Sequence, residues 1–119
     1  MPNRPMAGYP QPVGAKYEMV IDHDGPASYN NTGVTLTSGE TINASDLGFG
    51  GIEYAEADAV SSDGVNYVYV MNLNQSTSGP MANALPSVVL RWFVLATGLE
   101  VANAVNLSGK SIRVRLRLV

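Results

Sequence analysis

The sequence predicts an all-β protein, an antiparallel β-sandwich or barrel with one short helical corner and an extended N-terminal arm. Apolar and polar residues alternate at period two, most clearly in Ile112-Arg113-Val114-Arg115-Leu116-Arg117-Leu118. Turn signals built from Gly, Pro, Asn and Asp separate six or so such stretches at near-regular spacing, as in sandwiches and barrels. The one well-signalled helix is a single turn. The 119 residues make one β domain over 16–119, preceded by an arm over 1–15, and no internal repeat is visible.

The arm holds four of the seven prolines, Pro2, Pro5, Pro10 and Pro12, which excludes a helix or a central strand. Its composition predicts an extended segment. It lies either along its own domain or, the preferred reading, across a neighbouring subunit, which makes the four prolines candidate interface residues. Tyr17, Met19 and Ile21 alternate with polar neighbours as a half-buried strand, which Asp24-Gly25-Pro26 ends. Residues 34–37 read as a short strand leading into the corner.

At that corner Asn43 is a good N-cap and Asp46 stands at the capping-box position. Ile42 and Leu47 occupy staple positions, and Gly48 stands where the turn must stop in the left-handed region. Residues 52–60 read as a strand. Ser61-Ser62-Asp63-Gly64 signals a hairpin turn. The following strand, 65–73, carries Val65, Tyr67, Tyr69, Met71 and Leu73 on one face. A loop rich in Ser, Gly, Pro and Asn spans 74–86. The apolar run 88–96, broken only by Arg91, reads as a strand buried on both faces with Trp92 in the core. Residues 100–106 are ambiguous. In the last strand Ile112, Val114, Leu116 and Leu118 face inward while Arg113, Arg115 and Arg117 face outward.

The chain has no cysteine, so neither disulfides nor cysteine-ligated metal staple the fold, and extra stability is expected from partners. No window approaches the ~18 apolar residues of a membrane span, and the N-terminus has no signal-like apolar segment, so no membrane partner and no secretion are expected. A net charge of −3 argues against nucleic-acid binding. Nine of the ten acids lie between Glu18 and Asp63, while five of the seven bases lie from Arg91 onward. These halves pair either within the monomer or between copies of the chain.

Reactive groups are few. His23, between Asp22 and Asp24, has no nucleophile motif to serve, and a solvated loop is expected for it. Neighbouring residues on an extended chain point to opposite sides, so this trio is no metal site. Glu53, Glu56 and Asp58 read as a charged outer strand face. No catalytic residue, cofactor or metal is expected. The arginines 113, 115 and 117 form either a solvated face that discourages edge pairing or a contact with an acidic neighbour.

Thr37-Ser38-Gly39-Glu40, then Ile42, then Asp46-Leu47-Gly48-Phe49, resembles a pattern in small virion proteins of tailed bacteriophages. That pattern runs Thr-Gly-Gly-Glu, a spacer, then Asp-Leu-Gly-Leu. Glu100-Val101-Ala102-Asn103, Leu107-Ser108-Gly109 and the terminal strand match its later elements. The resemblance covers about 35–119 and departs at Ser38 and Phe49, where the family has glycine and leucine. It implies a non-enzymatic structural protein of the virion, assembled in the host cytoplasm, that binds and reinforces the capsid shell as a decoration or cement protein. Its partner would be the major capsid protein or another virion protein. A homo-oligomer is expected, a trimer first and a dimer next. Rival expectations are a head-completion, tail or fibre-associated protein, or a glycan-binding surface module.

Overall fold

Two antiparallel sheets lie face to face across one apolar core, as a sandwich and not a closed barrel. The computed structural model describes residues 3–13, 16–34, 37–57, 60–71 and 85–119. The strands are β1 (Asn3–Pro5), β2 (Gln11–Val13), β3 (Lys16–Asp24), β4 (Glu40–Asn43), β5 (Ile52–Ala57), β6 (Asn66–Met71), β7 (Ser87–Val94) and β8 (Ser111–Leu118). The larger sheet runs β1-β3-β8-β5, with β2 also on β3, and the smaller runs β4-β7-β6.

β8 sits between β3 and β5, so its strict alternation is imposed from both sides. Ile112, Val114, Leu116 and Leu118 are buried while the three arginines are exposed, as expected. Met19, Ile21 and His23 point inward from β3 opposite Leu116, Val114 and Ile112. Val88, Leu90 and Trp92 close the core from β7.

Several expectations are corrected. The arm is extended, but β1 and β2 pair with successive stretches of β3 in the same chain, in the registers Asn3↔His23 and Gln11↔Glu18. An edge strand needs only alternate N–H donors, so Pro5 and Pro12 fit there. Pro10 follows Tyr9 through a cis bond. Pro2 lies outside the described residues, as do Thr35 and Leu36 of the expected 34–37 strand. Val34 and Thr37 instead close a turn, with Thr37 N–H donating to Val34 O (3.1 Å).

The corner forms as a 3-10 turn over Ala44–Leu47, and Gly48 ends it at φ +85°. The Asn43 side chain does not cap the backbone; its Nδ2 reaches Asp46 Oδ2 (3.4 Å). A turn this short is held mostly by Phe49 N–H donating to Ala44 O (3.0 Å) and Ala44 N–H to Pro86 O (2.8 Å). Ile42 is buried and Leu47 packs against the core, as staple residues would. The Asp63-Gly64 turn forms too, with Val60 bridging Tyr67. It does not join two strands of one sheet, because β5 pairs with β8 while β6 pairs with β7. Most of the 74–86 loop lies outside the described residues.

Candidate functional site

The outer face of the larger sheet is a charge checkerboard set by register. Asp22 stands opposite Arg113, Glu18 opposite Arg117 and Glu56 opposite Arg115. Arg113 Nε donates to Asp22 Oδ1 (3.0 Å). Arg115 lies 3.5 Å from Glu18 and 3.4 Å from Glu56, and Arg4 pairs with Asp24. Tyr54 donates to Glu56 Oε2 (3.0 Å), which raises the tyrosine's pKa, first through that hydrogen bond and then through the carboxylate's charge. Arg117 has no ion-pair partner among the described residues. The acidic first half and basic second half of the chain therefore meet within one monomer. A shallow depression of about 250 Å³ on this face is lined by Val20, Glu56, Ala57, Arg113 and Arg115.

The smaller sheet presents a different surface. Tyr67 and Phe93 are directly opposed, as are Tyr69 and Arg91. Phe93 stacks with Tyr67 (5.0 Å, 9°) and with Tyr69 (5.3 Å, 19°). The Arg91 guanidinium lies 5.2 Å from the Phe93 ring centre and 5.8 Å from that of Tyr69. Val65 and Leu95 meet at the end of this ladder and are both 50% exposed, Leu99 is 68% exposed and Tyr69 40%. The face is thus an aromatic stack with an aliphatic rim. The sequence placed Val65, Tyr67 and Tyr69 on one face; the structure makes it the outer one, because Asn66 and Val68 point inward. The 88–96 run is correspondingly buried on one face only, with Val89, Arg91 and Phe93 partly open. Sequence reasoning missed Arg91 and Phe93 as surface residues, since the run's continuous hydrophobicity hid its alternation.

Beneath this face, Arg91 is fixed by Glu100, which a buried tyrosine holds in turn. Arg91 Nη2 donates to Glu100 Oε1 (2.8 Å) and Nη1 to Tyr69 Oη (2.6 Å), while its Nε is buried with no acceptor among the described residues. Tyr29 donates to Glu100 Oε2 (2.7 Å) and accepts Trp92 N–H (3.1 Å). Burial by itself raises the Glu100 carboxyl, but hydrogen bonds from Arg91 and Tyr29 outweigh it and hold the group below the ordinary value. Burial, then the bond to Glu100, pushes the Tyr29 hydroxyl far up. The bond to Glu100 likewise raises Arg91.

His23 is not on a solvated loop. Period-two alternation continues through β3 and buries it. Its Nδ1 shares a hydrogen bond with Asn3 Oδ1 (2.5 Å). Its Nε2 sits 2.9 Å from Glu40 Oε1 without the alignment a hydrogen bond needs. Glu40 Oε1 accepts the Trp92 indole N–H (2.9 Å).

The motif residues thus act as an interlock between the loops and the sheets. Gly39 passes close against β7, Glu40 anchors Trp92, Glu100 joins Tyr29 to Arg91, and Asn103 Oδ1 accepts Asn31 N–H (3.0 Å). Leu107 is buried over Gly25. No cluster of three or more metal-ligating side chains occurs among the described residues. Comparisons with protein families, with curated proteins and with solved structures find no match to this chain.

Proposed function

We propose that the protein is a virion structural protein of the decoration or cement kind, which binds a capsid shell and reinforces it. The observation that carries this is the aromatic and aliphatic outer face of the smaller sheet. Interfaces concentrate their energy in Tyr, Trp and Arg anchors set among apolar contacts, and Tyr67, Phe93, Tyr69 and Arg91 make such a group beside Val65, Leu95 and Leu99. The motif resemblance supplies the partner: the major capsid protein, or another virion protein, on a particle assembled in the host cytoplasm. Each copy bound to the assembled shell and not to its free subunits stabilises the shell by mass action.

The glycan-binding alternative is less well supported. Sugars stack on open ring faces, whereas Phe93 is stacked against Tyr67 and Tyr69 and has the Arg91 guanidinium over its ring. The arginine stripe is a weaker docking candidate than the sequence implied, because Arg113 and Arg115 already face carboxylates of their own chain. Those same pairings argue against nucleic acid as a partner. A trimer, or failing that a dimer, would multiply weak single contacts into firm attachment. The test is co-sedimentation with shells assembled from the same virus's major capsid protein. The reading expects the Leu99→Asp, Tyr69→Ala double variant to stay folded and lose binding; undiminished binding would overturn it.

A further inference from the structure

A lysine, a buried asparagine and an aspartate meet where the two sheets come together. Asn66 opens β6 and is 2% exposed. Its carboxamide is fixed at both ends: Nδ2 donates to Phe93 O (3.1 Å), and Oδ1 accepts from Lys110 Nζ. Lys110 directly precedes β8, and its side chain is 21% exposed. Asp63 Oδ2 lies 3.2 Å from the same Nζ. Asp63 is itself held by Ser61 Oγ–H (2.7 Å) and Val65 N–H (3.1 Å).

We propose that this triad is a site of intramolecular amide formation, in which Lys110 and Asn66 become covalently joined with loss of ammonia. The hydrogen bond from Nζ to Oδ1 holds the nitrogen beside the carboxamide whose Cγ it must attack; once deprotonated, the amine gives up that hydrogen bond and turns its lone pair onto Cγ from above the carboxamide plane. Holding nucleophile and electrophile side by side removes part of the entropic barrier to such a reaction. Asp63 takes a proton from the ammonium, the free amine adds to Cγ, and the Cγ–Nδ2 bond breaks. The departing nitrogen carries off two of the three lysine protons, relayed through Asp63, and leaves as ammonium ion. One carbon–nitrogen bond forms and one breaks, with no change of oxidation state and no co-reactant.

Hydrogen bonds from Ser61 and Val65, then the bond and charge of Lys110, hold the Asp63 carboxyl below its ordinary value against a small opposing effect of burial. A base that weak works slowly, so the bond forms gradually in the folded protein, and escape of ammonia makes it permanent. The consequence is structural. Asn66 belongs to the smaller sheet and Lys110 leads into the central strand of the larger one, so the new amide staples the two sheets of a chain that has no cysteine.

The test is the intact mass of the purified full chain under denaturing conditions, followed after folding at mildly alkaline pH. The expected result is a mass lower by one ammonia, with a branched peptide joining Asn66 to Lys110 after proteolysis. Lys110→Arg keeps the cation beside Asp63 and Asn66 but should hold the full sequence mass, and Asp63→Asn should slow the loss. A chain that keeps its full mass after prolonged incubation would overturn the proposal. So would ammonia loss without the branched peptide, which marks succinimide formation at an asparagine.

Discussion

Replacing Glu100 with glutamine removes one charge from a nearly closed group and should be costly. Both carboxylate oxygens are engaged, Oε1 by Arg91 and Oε2 by Tyr29, and the Arg91 and Glu100 side chains are only 11% and 13% exposed. The glutamine carbonyl can accept one of these two donors, while its NH₂ points a donor at the other. A hydrogen bond to a charged group contributes about 1.5–3 kcal/mol, and an unpaired buried donor costs in the same range. The expected loss is about 2–3 kcal/mol, at the lower end because the site keeps some solvent contact. For a chain of this length that lowers Tm by roughly 8–12 °C. Urea unfolding should show a reduced midpoint with unchanged slope.

The pH dependence provides a second readout. A carboxyl whose folded pKa is depressed adds stability that is fully present above its unfolded value of 4.5 and is lost as pH falls through the folded value. Wild-type stability should therefore drop on acidification below about pH 5 more steeply than that of Glu100→Gln. A variant within about 0.5 kcal/mol of wild type, with the same acid slope, would refute the reasoning.

Other substitutions follow from local geometry. Gly39→Ala should lower stability by more than about 3 kcal/mol or prevent folding, as read by circular dichroism, because φ is +111° and a Cβ would lie 2.6 Å from both Leu90 O and Val89 Cγ1. Ala104→Gly should raise stability by about 0.5–1 kcal/mol in thermal unfolding, since Ala104 is exposed at φ +68° and glycine relieves the left-handed strain at a smaller entropic cost. Converting Arg113, Arg115 and Arg117 together to glutamine should cost no more than about 1–2 kcal/mol, diminishing with added salt, because the pairs of Arg113 and Arg115 are solvent-screened.

Much of the fold was legible where local pattern and tertiary demand coincide. β8 alternates because strands on both sides oblige it to, and Gly48 stops the corner because its φ demands glycine. The arm's prolines gave its extended form but not its seat, since edge pairing with β3 depends on a strand outside the arm. His23 looked exposed because two aspartates flank it, yet alternation sends those outward and the imidazole inward. The arginine stripe was visible, whereas its compensation by Glu18, Asp22 and Glu56 required the registers of two strand pairs. The aromatic face was hardest to see. Tyr67 and Tyr69 acquire meaning as a surface only once Phe93 and Arg91 are brought opposite them on β7.

The central claim is that this chain docks on a shell through the outer face of the smaller sheet. Hydroxyl-radical footprinting of the intact particle against the free protein, read by mass spectrometry at Tyr69, Leu95 and Leu99, tests it most directly. The account predicts strong protection of these three residues on the particle, with Tyr54 on the opposite face remaining reactive. Protection of Tyr54 with Tyr69 and Leu99 left open, or no particle-associated copies at all, would contradict it.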